Sequence, residues 1–162
     1  MTAIVIRQAV PDDSALIYHF IRELAIYERA EHEVVTDVEG IRESIFGPQS
    51  TVSALICLID NKPVGYAVYF FNYSTWLGKR GLFLEDLYVS PESRGLGAGK
   101  ALLHFLAREA LAKGCGRFEW NVLDWNTPAI EFYESLGARP QSEWTGYRLT
   151  GQALTDFANS SV

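Results

Sequence analysis

The chain of 162 residues has no apolar run near the roughly 18 residues that a membrane-spanning helix requires, so no membrane partner is expected. It is poor in metal-binding residues: two cysteines, Cys57 and Cys115, and three histidines, His19, His32 and His104, lie scattered along the sequence. They lack the spacing of a zinc site, so no metal is expected. Cys115, between Gly114 and Gly116, has no evident histidine partner and reads as a turn residue. The first residues read as a strand, not as the long apolar core of a secretory signal. Reduced thiols and a cytoplasmic location are the corresponding expectation. Basic residues are outnumbered, with 14 Lys and Arg against 20 Asp and Glu and a formal net charge of −6. They form no cluster able to neutralise a phosphate backbone, so no nucleic-acid partner is expected. The acidic balance mildly favours cationic small molecules. Repeats, low-complexity segments and linkers are also missing, and one domain spanning residues 1–162 is expected.

What is present is a core. Hydrophobic residues make up 48% of the chain and aromatic residues 13%, ample for one α/β domain. Ile4–Arg7 reads as a strand. Pro11-Asp12-Asp13 opens a helix in which Leu16, Ile17, Phe20, Ile21 and Leu24 recur at helical spacing to about Glu28. A second helix is predicted over Asp37–Phe46, ended by Gly47-Pro48. Strands are predicted over Val52–Ile59 and Val64–Tyr73, with a hairpin at Asp60-Asn61-Lys62, and over Leu82–Val89 after a loop, 74–81. Leu102, Phe105, Leu106 and Ala110 mark a helix ending near Lys113-Gly114. Phe118–Val122 reads as a short strand, Asn126-Thr127-Pro128 caps a helix through Glu134, and Trp144–Leu149 reads as a final strand. The strand–glycine loop–helix–strand order makes a βαβ crossover, so Leu82–Val89 and Phe118–Val122 should be parallel neighbours.

The glycine loop is Arg94-Gly95-Leu96-Gly97-Ala98-Gly99, followed by Lys100. Glycines at alternate positions allow close backbone approach and positive φ. Backbone N–H groups opening onto a helix N-terminus suit an anion such as a pyrophosphate. The phosphate-loop NTPase pattern fails, because Arg94 stands where its first glycine is required and Ala101 replaces the Ser or Thr that would hold Mg²⁺. The dinucleotide pattern G-x-G-x-x-G fails on glycine spacing. Arg94, Gly97 and Gly99 instead fit [RQ]-x-x-G-x-[GA].

With that loop, the strand Leu84-Glu85-Asp86-Leu87-Tyr88-Val89 and the segment Asn126–Ala138, the chain resembles the GNAT acyltransferase superfamily over essentially its whole length. Ala138 stands where phenylalanine is usual. Glu23–Glu28, Tyr73–Lys79, Leu84–Asp86 and Asp124–Asn126 are similar to the spermidine/spermine (diamine) and thialysine N-acetyltransferase subfamily. The resemblance implies a mixed, mostly antiparallel sheet flanked by helices. It also implies acetyl-CoA held by Leu87, Tyr88, Val89, Arg94–Lys100, Asn126 and Tyr133, with transfer to a small amine by direct attack in a ternary complex, in a homodimer. Ser74-Thr75 stands where polyamine enzymes carry Asp-Pro before the tryptophan, which removes one attraction for a long polycation.

The chemistry can be read from the residues. An alkylamine near pKa 10 is mostly charged at neutral pH and must lose a proton before it attacks. Glu85 is the candidate base, directly or through a water. Strand alternation is expected to separate it from Asp86. Tyr133, a phenol that remains protonated at neutral pH, is the candidate acid for the leaving thiolate. Backbone N–H groups near Leu87 and Val89 would orient the thioester carbonyl. Glu28 and Asp86 could hold an ammonium, and Tyr27 and Trp76 could line its channel. The alternatives are a protein N-terminal or lysine acetyltransferase and a non-catalytic acyl-CoA-binding sensor.

Overall fold

Five strands form one sheet in chain order: β1 (Ile4–Gln8), β2 (Val52–Ile59), β3 (Lys62–Ser74), β4 (Lys79–Val89) and β5 (Arg117–Trp120). The structure, a computed structural model, describes residues 3–161; Met1, Thr2 and Val162, inside the expected domain span, lie outside them. β1 to β4 pair antiparallel, and β4 pairs with β5 in parallel, as the crossover requires. The chain divides into two compact units, Met1–Leu123 and Asp124–Val162. The first carries the whole sheet with helices α1 (Ser14–Tyr27), α2 (Val38–Phe46) and α3 (Ala98–Ala112); the second carries α4 (Thr127–Ser135) and α5 (Gly151–Ala158).

Local chemistry sets most boundaries in the first unit. Asp60 and Asn61 take φ of 49° and 67°, the left-handed pair that a tight hairpin between twisted strands needs. Asp37 caps α2 by accepting the Gly40 N–H at 2.8 Å. The apolar stripe of α1 buries Ile17, Phe20 and Leu24, and with Ile41 and Ile45 of α2 they pack on Ile56, Tyr66, Val68 and Tyr88 of the sheet. Leu102, Leu103 and Leu106 of α3 are buried too, and α3 packs against β4, β1 and β3. Each fully buried aliphatic or aromatic side chain contributes about 1.5–3 kcal/mol. These two helix layers leave the C-terminal end of β4 between the close of α1 and the start of α3.

One carboxylate ties strand to helix. Asp13, buried ahead of α1, accepts the Arg7 Nη1 and Nη2 groups at 2.7 and 2.9 Å and the Val10 N–H at 2.8 Å. The guanidinium beside it holds its carboxyl below the ordinary carboxylate range. The two-pronged contact fixes β1 against the start of the helix.

In the second unit the expected strand at Trp144–Leu149 is absent, and a helix, α5, begins at Gly151. Aromatic and β-branched residues favour a strand only where a pleated, half-buried surface receives them. Here Trp144 is 67% and Tyr147 96% exposed, so these aromatic residues mark no buried face. α5 was not expected, because its first residue is a glycine, with φ of 58°, that reads as a breaker. Strand boundaries also shift in the first unit, where β3 runs from Lys62 to Ser74. β4 begins at Lys79, shortening the loop before it, and β5 covers Arg117–Trp120.

Candidate active site

The site begins at an irregularity in β4. Tyr69 pairs with Leu84 and Val68 with Asp86, so Glu85 is the extra residue of a β-bulge. A bulge re-aims the side chains after it. Leu82 and Leu84 share the face of Tyr69 and Phe71, whereas Asp86 and Tyr88 share the face of Val68 and Tyr66, the one that packs on α1 and α2. The simple alternation expected through Glu85 and Asp86 is therefore interrupted at that point, and even-numbered residues change sides there.

The face change brings Asp86 to a buried phenol. Tyr66 donates its hydroxyl to Asp86 Oδ2 at 2.5 Å. Desolvation holds the Asp86 carboxyl above its ordinary value, and the Tyr66 hydrogen bond opposes that shift. Glu28, half-buried at the C-cap of α1, is also pushed up, by burial first and by the Asp86 charge second. It stands at a helix C-terminus, where the backbone dipole favours cations over anions. The Tyr66 hydroxyl is driven well above the usual phenol range by burial, and then by Asp86, Glu28 and Glu85. The sequence-predicted residues Glu28, Glu85 and Asp86 thus act electrostatically on one group, and the side-chain donor at Asp86 is a neutral phenol where Asp13 has the Arg7 guanidinium. Such a site suits an ammonium ion.

The glycine loop leads directly from the end of this strand. Gly95 and Gly97 take φ of 80° and 93°, conformations that side chains rarely adopt, and Gly97 is the N-cap of α3. The first intrahelical bond runs from the Ala101 N–H to the Gly97 carbonyl at 2.9 Å, so the N–H groups of Ala98, Gly99 and Lys100 head the helix ahead of its ladder. A Cβ built on Gly95 would meet nothing within 4 Å; its role is the turn itself. Arg94 is held by its Nε–H donating to the Val89 carbonyl at 2.9 Å, and its guanidinium lies 5.0 Å from the Tyr27 ring centre and 5.6 Å from that of Tyr88. Tyr27 closes α1 beside Glu28, so Arg94 links the loop to the acidic cluster through one aromatic side chain.

β4 also offers backbone. Its pairing with β5 runs only from Gly81–Arg117 to Leu84–Trp120, whereas its pairing with β3 continues to Val89. Among the described residues, the backbone groups of Leu87–Val89 that point away from β3 lie outside the sheet ladder. Apart from the Val89 carbonyl, which accepts from Arg94, they can bond an amide-bearing ligand running alongside. Open backbone amides and a helix N-terminus cradled by glycines form a donor set that fits a pantetheine arm and its pyrophosphate.

The profile of the Acetyltransferase (GNAT) family matches residues 17–138. The chain belongs to the GNAT acetyltransferase family. It is 40% identical to a thialysine N-epsilon-acetyltransferase of Sus scrofa, covering 98% of this chain and 99% of that protein. It is 29% identical to an L-ornithine N5-acetyltransferase of Arabidopsis thaliana, over 92% of this chain and 85% of the relative. An integron cassette protein from the mobile metagenome of V. cholerae superposes with a TM-score of 0.81 at 26% identity, covering 97% of this chain and 98% of the other. GNAT acetyltransferases use acetyl-CoA, and the loop and strand edge have the donors to receive it.

Other sequence-predicted residues of this GNAT enzyme occupy different positions. Asn126 is buried and caps α4, accepting the Ala129 N–H at 3.4 Å, and Tyr133 lies in that helix with its ring 5.8 Å from Phe132; both belong to the second unit. Trp76 stands 86% exposed in the turn between β3 and β4. Among the described residues no group of His, Cys, Asp and Glu could hold a metal and no helix is long and apolar enough to cross a membrane. A cavity of about 510 Å³ between β1 and α3, lined by Ile6, His104 and Arg108 among others, contains none of the candidate site residues. Tyr66 was missed by the sequence reading. Its only signal was a hydroxyl in the middle of an apolar strand.

Proposed function

We propose that the chain, acting over residues 1–162 as one N-acetyltransferase domain, transfers an acetyl group to a primary amine of a small cationic molecule: a thialysine-like amino acid, a diamine or a polyamine. The observation that carries this reading is the Tyr66–Asp86 hydrogen bond, with the charges of Glu28 and Glu85 acting on the same hydroxyl, joined through Tyr27 and Arg94 to the glycine loop. A cluster of carboxylates at a helix C-terminus attracts an ammonium ion. The relatives named for thialysine and ornithine support a side-chain amine of an amino acid as the acceptor. Ser74-Thr75, in place of the Asp-Pro of polyamine enzymes, favours the shorter substrates.

Acetyl-CoA supplies the acetyl group as a thioester when bound, and the backbone of Leu87, Tyr88 and Val89 with Arg94–Lys100, Asn126 and Tyr133 would hold it. Glu28 and Asp86 bind and orient the amine, with Tyr27 and Trp76 lining its approach. Glu85 takes the ammonium proton, directly or through a water, which leaves a neutral nucleophile for direct attack in a ternary complex. Tyr133 holds a proton for the departing thiolate; that assignment rests on the Asn126–Ala138 motif. Tyr133→Phe should lower turnover about 10²–10⁴-fold with acetyl-CoA affinity nearly intact, and unchanged turnover would remove the tyrosine from the mechanism. The proposal includes a cytoplasmic homodimer, which sedimentation at micromolar concentration tests.

The deciding experiment measures thiol release from acetyl-CoA with thialysine, ornithine, lysine, putrescine, spermidine and spermine side by side, and with peptides bearing free N-termini or lysines. Turnover on one or more small amines is expected. Turnover confined to peptides would make this a protein acetyltransferase, and acetyl-CoA binding without turnover on any acceptor would make it a sensor.

A further inference from the structure

Tyr66 is fully buried, with 0% exposure, in the middle of β3. Its ring stacks on Phe20 of α1 with centroids 5.5 Å apart and planes 18° from parallel, and its backbone lies opposite Tyr88 on β4. Packing from the helix and from the sheet thus fixes the direction of the phenol. At its end the hydroxyl meets Asp86 Oδ2. A phenylalanine would fill the same space in this core. A buried carboxylate–phenol pair is a poor stabilising device, since apolar groups of the same shape do as well or better. Its presence calls for another use.

We propose that Tyr66 is a positioning residue: its buried hydroxyl fixes the Asp86 carboxylate as the anionic wall of the amine site. This rests on the reading of Asp86 as a counter-ion for the substrate ammonium. One carboxylate oxygen is engaged by the phenol, and the other is presented to the ammonium in a set orientation. A phenol serves this purpose better than a lysine or arginine would. It donates one hydrogen bond without neutralising the charge, so Asp86 keeps its attraction for a cation. It also remains a donor throughout the neutral range, because forming a tyrosinate beside Asp86, Glu28 and Glu85 is strongly opposed. The bulge at Glu85 makes the pairing possible, since it turns Asp86 to the face that Tyr66 occupies.

The proposal predicts specificity as well as affinity. A substrate with two ammonium groups should use the wall at one end while the other end reacts, so it should depend on Tyr66 more than a monoamine of equal length. The test is a double-mutant cycle on the full chain with acetyl-CoA, comparing 1,5-diaminopentane with pentylamine. Tyr66→Phe retains the ring and its stacking on Phe20. It should raise KM for the diamine about tenfold, the scale of one hydrogen bond to a charged group, with kcat and the acetyl-CoA KM within about twofold and a smaller change for the monoamine. In an Asp86→Asn background the same substitution should add nothing. A Tyr66→Phe enzyme with unchanged diamine KM, or one whose effect adds fully to that of Asp86→Asn, would overturn the positioning role and leave the counter-ion reading intact. If Asp86→Asn itself left every amine KM unchanged, the counter-ion reading would fall and take the proposal with it. Should Tyr66→Phe fold poorly, Phe20→Leu serves as the second variant. It loosens the stacking while leaving the hydroxyl, and should raise the diamine KM in the same direction; no change in that KM would overturn the proposal.

Discussion

Asp13 and Asp86 are both withdrawn from solvent and both hydrogen-bonded through their side chains, yet they are held in opposite ways. Asp13 faces a guanidinium that grips both of its oxygens, and its carboxyl is held below the ordinary range. Asp86 faces a phenol, stands near Glu28 and Glu85, and is held above that range. The first carboxylate is matched by a full positive charge, and the second by a neutral hydrogen-bond donor. A carboxylate that anchors the fold is matched by a charge from its own chain. On the proposed reading, Asp86 is held in place by a neutral donor so that the substrate ammonium can supply the matching charge.

Removing each charge tests the comparison most directly. Asp86→Asn should raise the amine KM about 30-fold or more, the scale of removing one side of a partly buried ion pair, while Asp13→Asn should leave it unchanged; steady-state kinetics with the preferred amine measures both. A similar loss from Asp13→Asn would break the distinction. Stability should respond the other way. Asp13→Asn should cost about 2 kcal/mol, the scale of hydrogen bonds to a charged group, and lower the melting temperature by about 4–8 °C for a chain of this size. Asp86→Asn should leave the neutral-pH melting temperature unchanged or raise it slightly, because it removes a charge held among like charges. The smallest effect is in the pH dependence. The stabilisation from Asp13 is fully present above the ordinary carboxylate range and is lost as pH falls through its lowered folded value. For Asp86 and Glu28 the folded state holds protons more tightly than the unfolded chain. Stability therefore declines as pH rises from the ordinary carboxylate range through their raised folded values, and the penalty persists above them. Melting curves of both variants against the parent from acid to neutral pH should show the two differences running in opposite directions.

Features written in local chemistry were legible in the sequence. Asp60-Asn61 specifies its turn by backbone preference, Asn126 caps its helix, and Gly95 and Gly97 stand where the backbone turns left-handed. The crossover order gave the parallel pairing of β4 with β5, and the carboxylates Glu28, Glu85 and Asp86 were visible as candidates. Features that depend on a partner segment were not legible. The bulge exists only in the register between β3 and β4, and one strand read alone alternates smoothly through Glu85. Tyr66 is indistinguishable from core until Asp86 is seen at its hydroxyl. Trp144–Leu149 resembled a strand because its aromatic residues favour one, and a sequence shows which residues are apolar and not whether anything covers them.

The bulge at Glu85 also bears on how β4 can change length. Leu84 already stands opposite Tyr69 and Asp86 opposite Val68, so deleting Glu85 would leave the pairs on both sides in register and every neighbouring side chain on its present face. Removing Leu87 would instead draw Asp86 one position along, opposite Ala67, and off the face it shares with Tyr66. Glu85 is therefore the residue whose loss would disturb this stretch least, and the sheet's geometry alone would not preserve it.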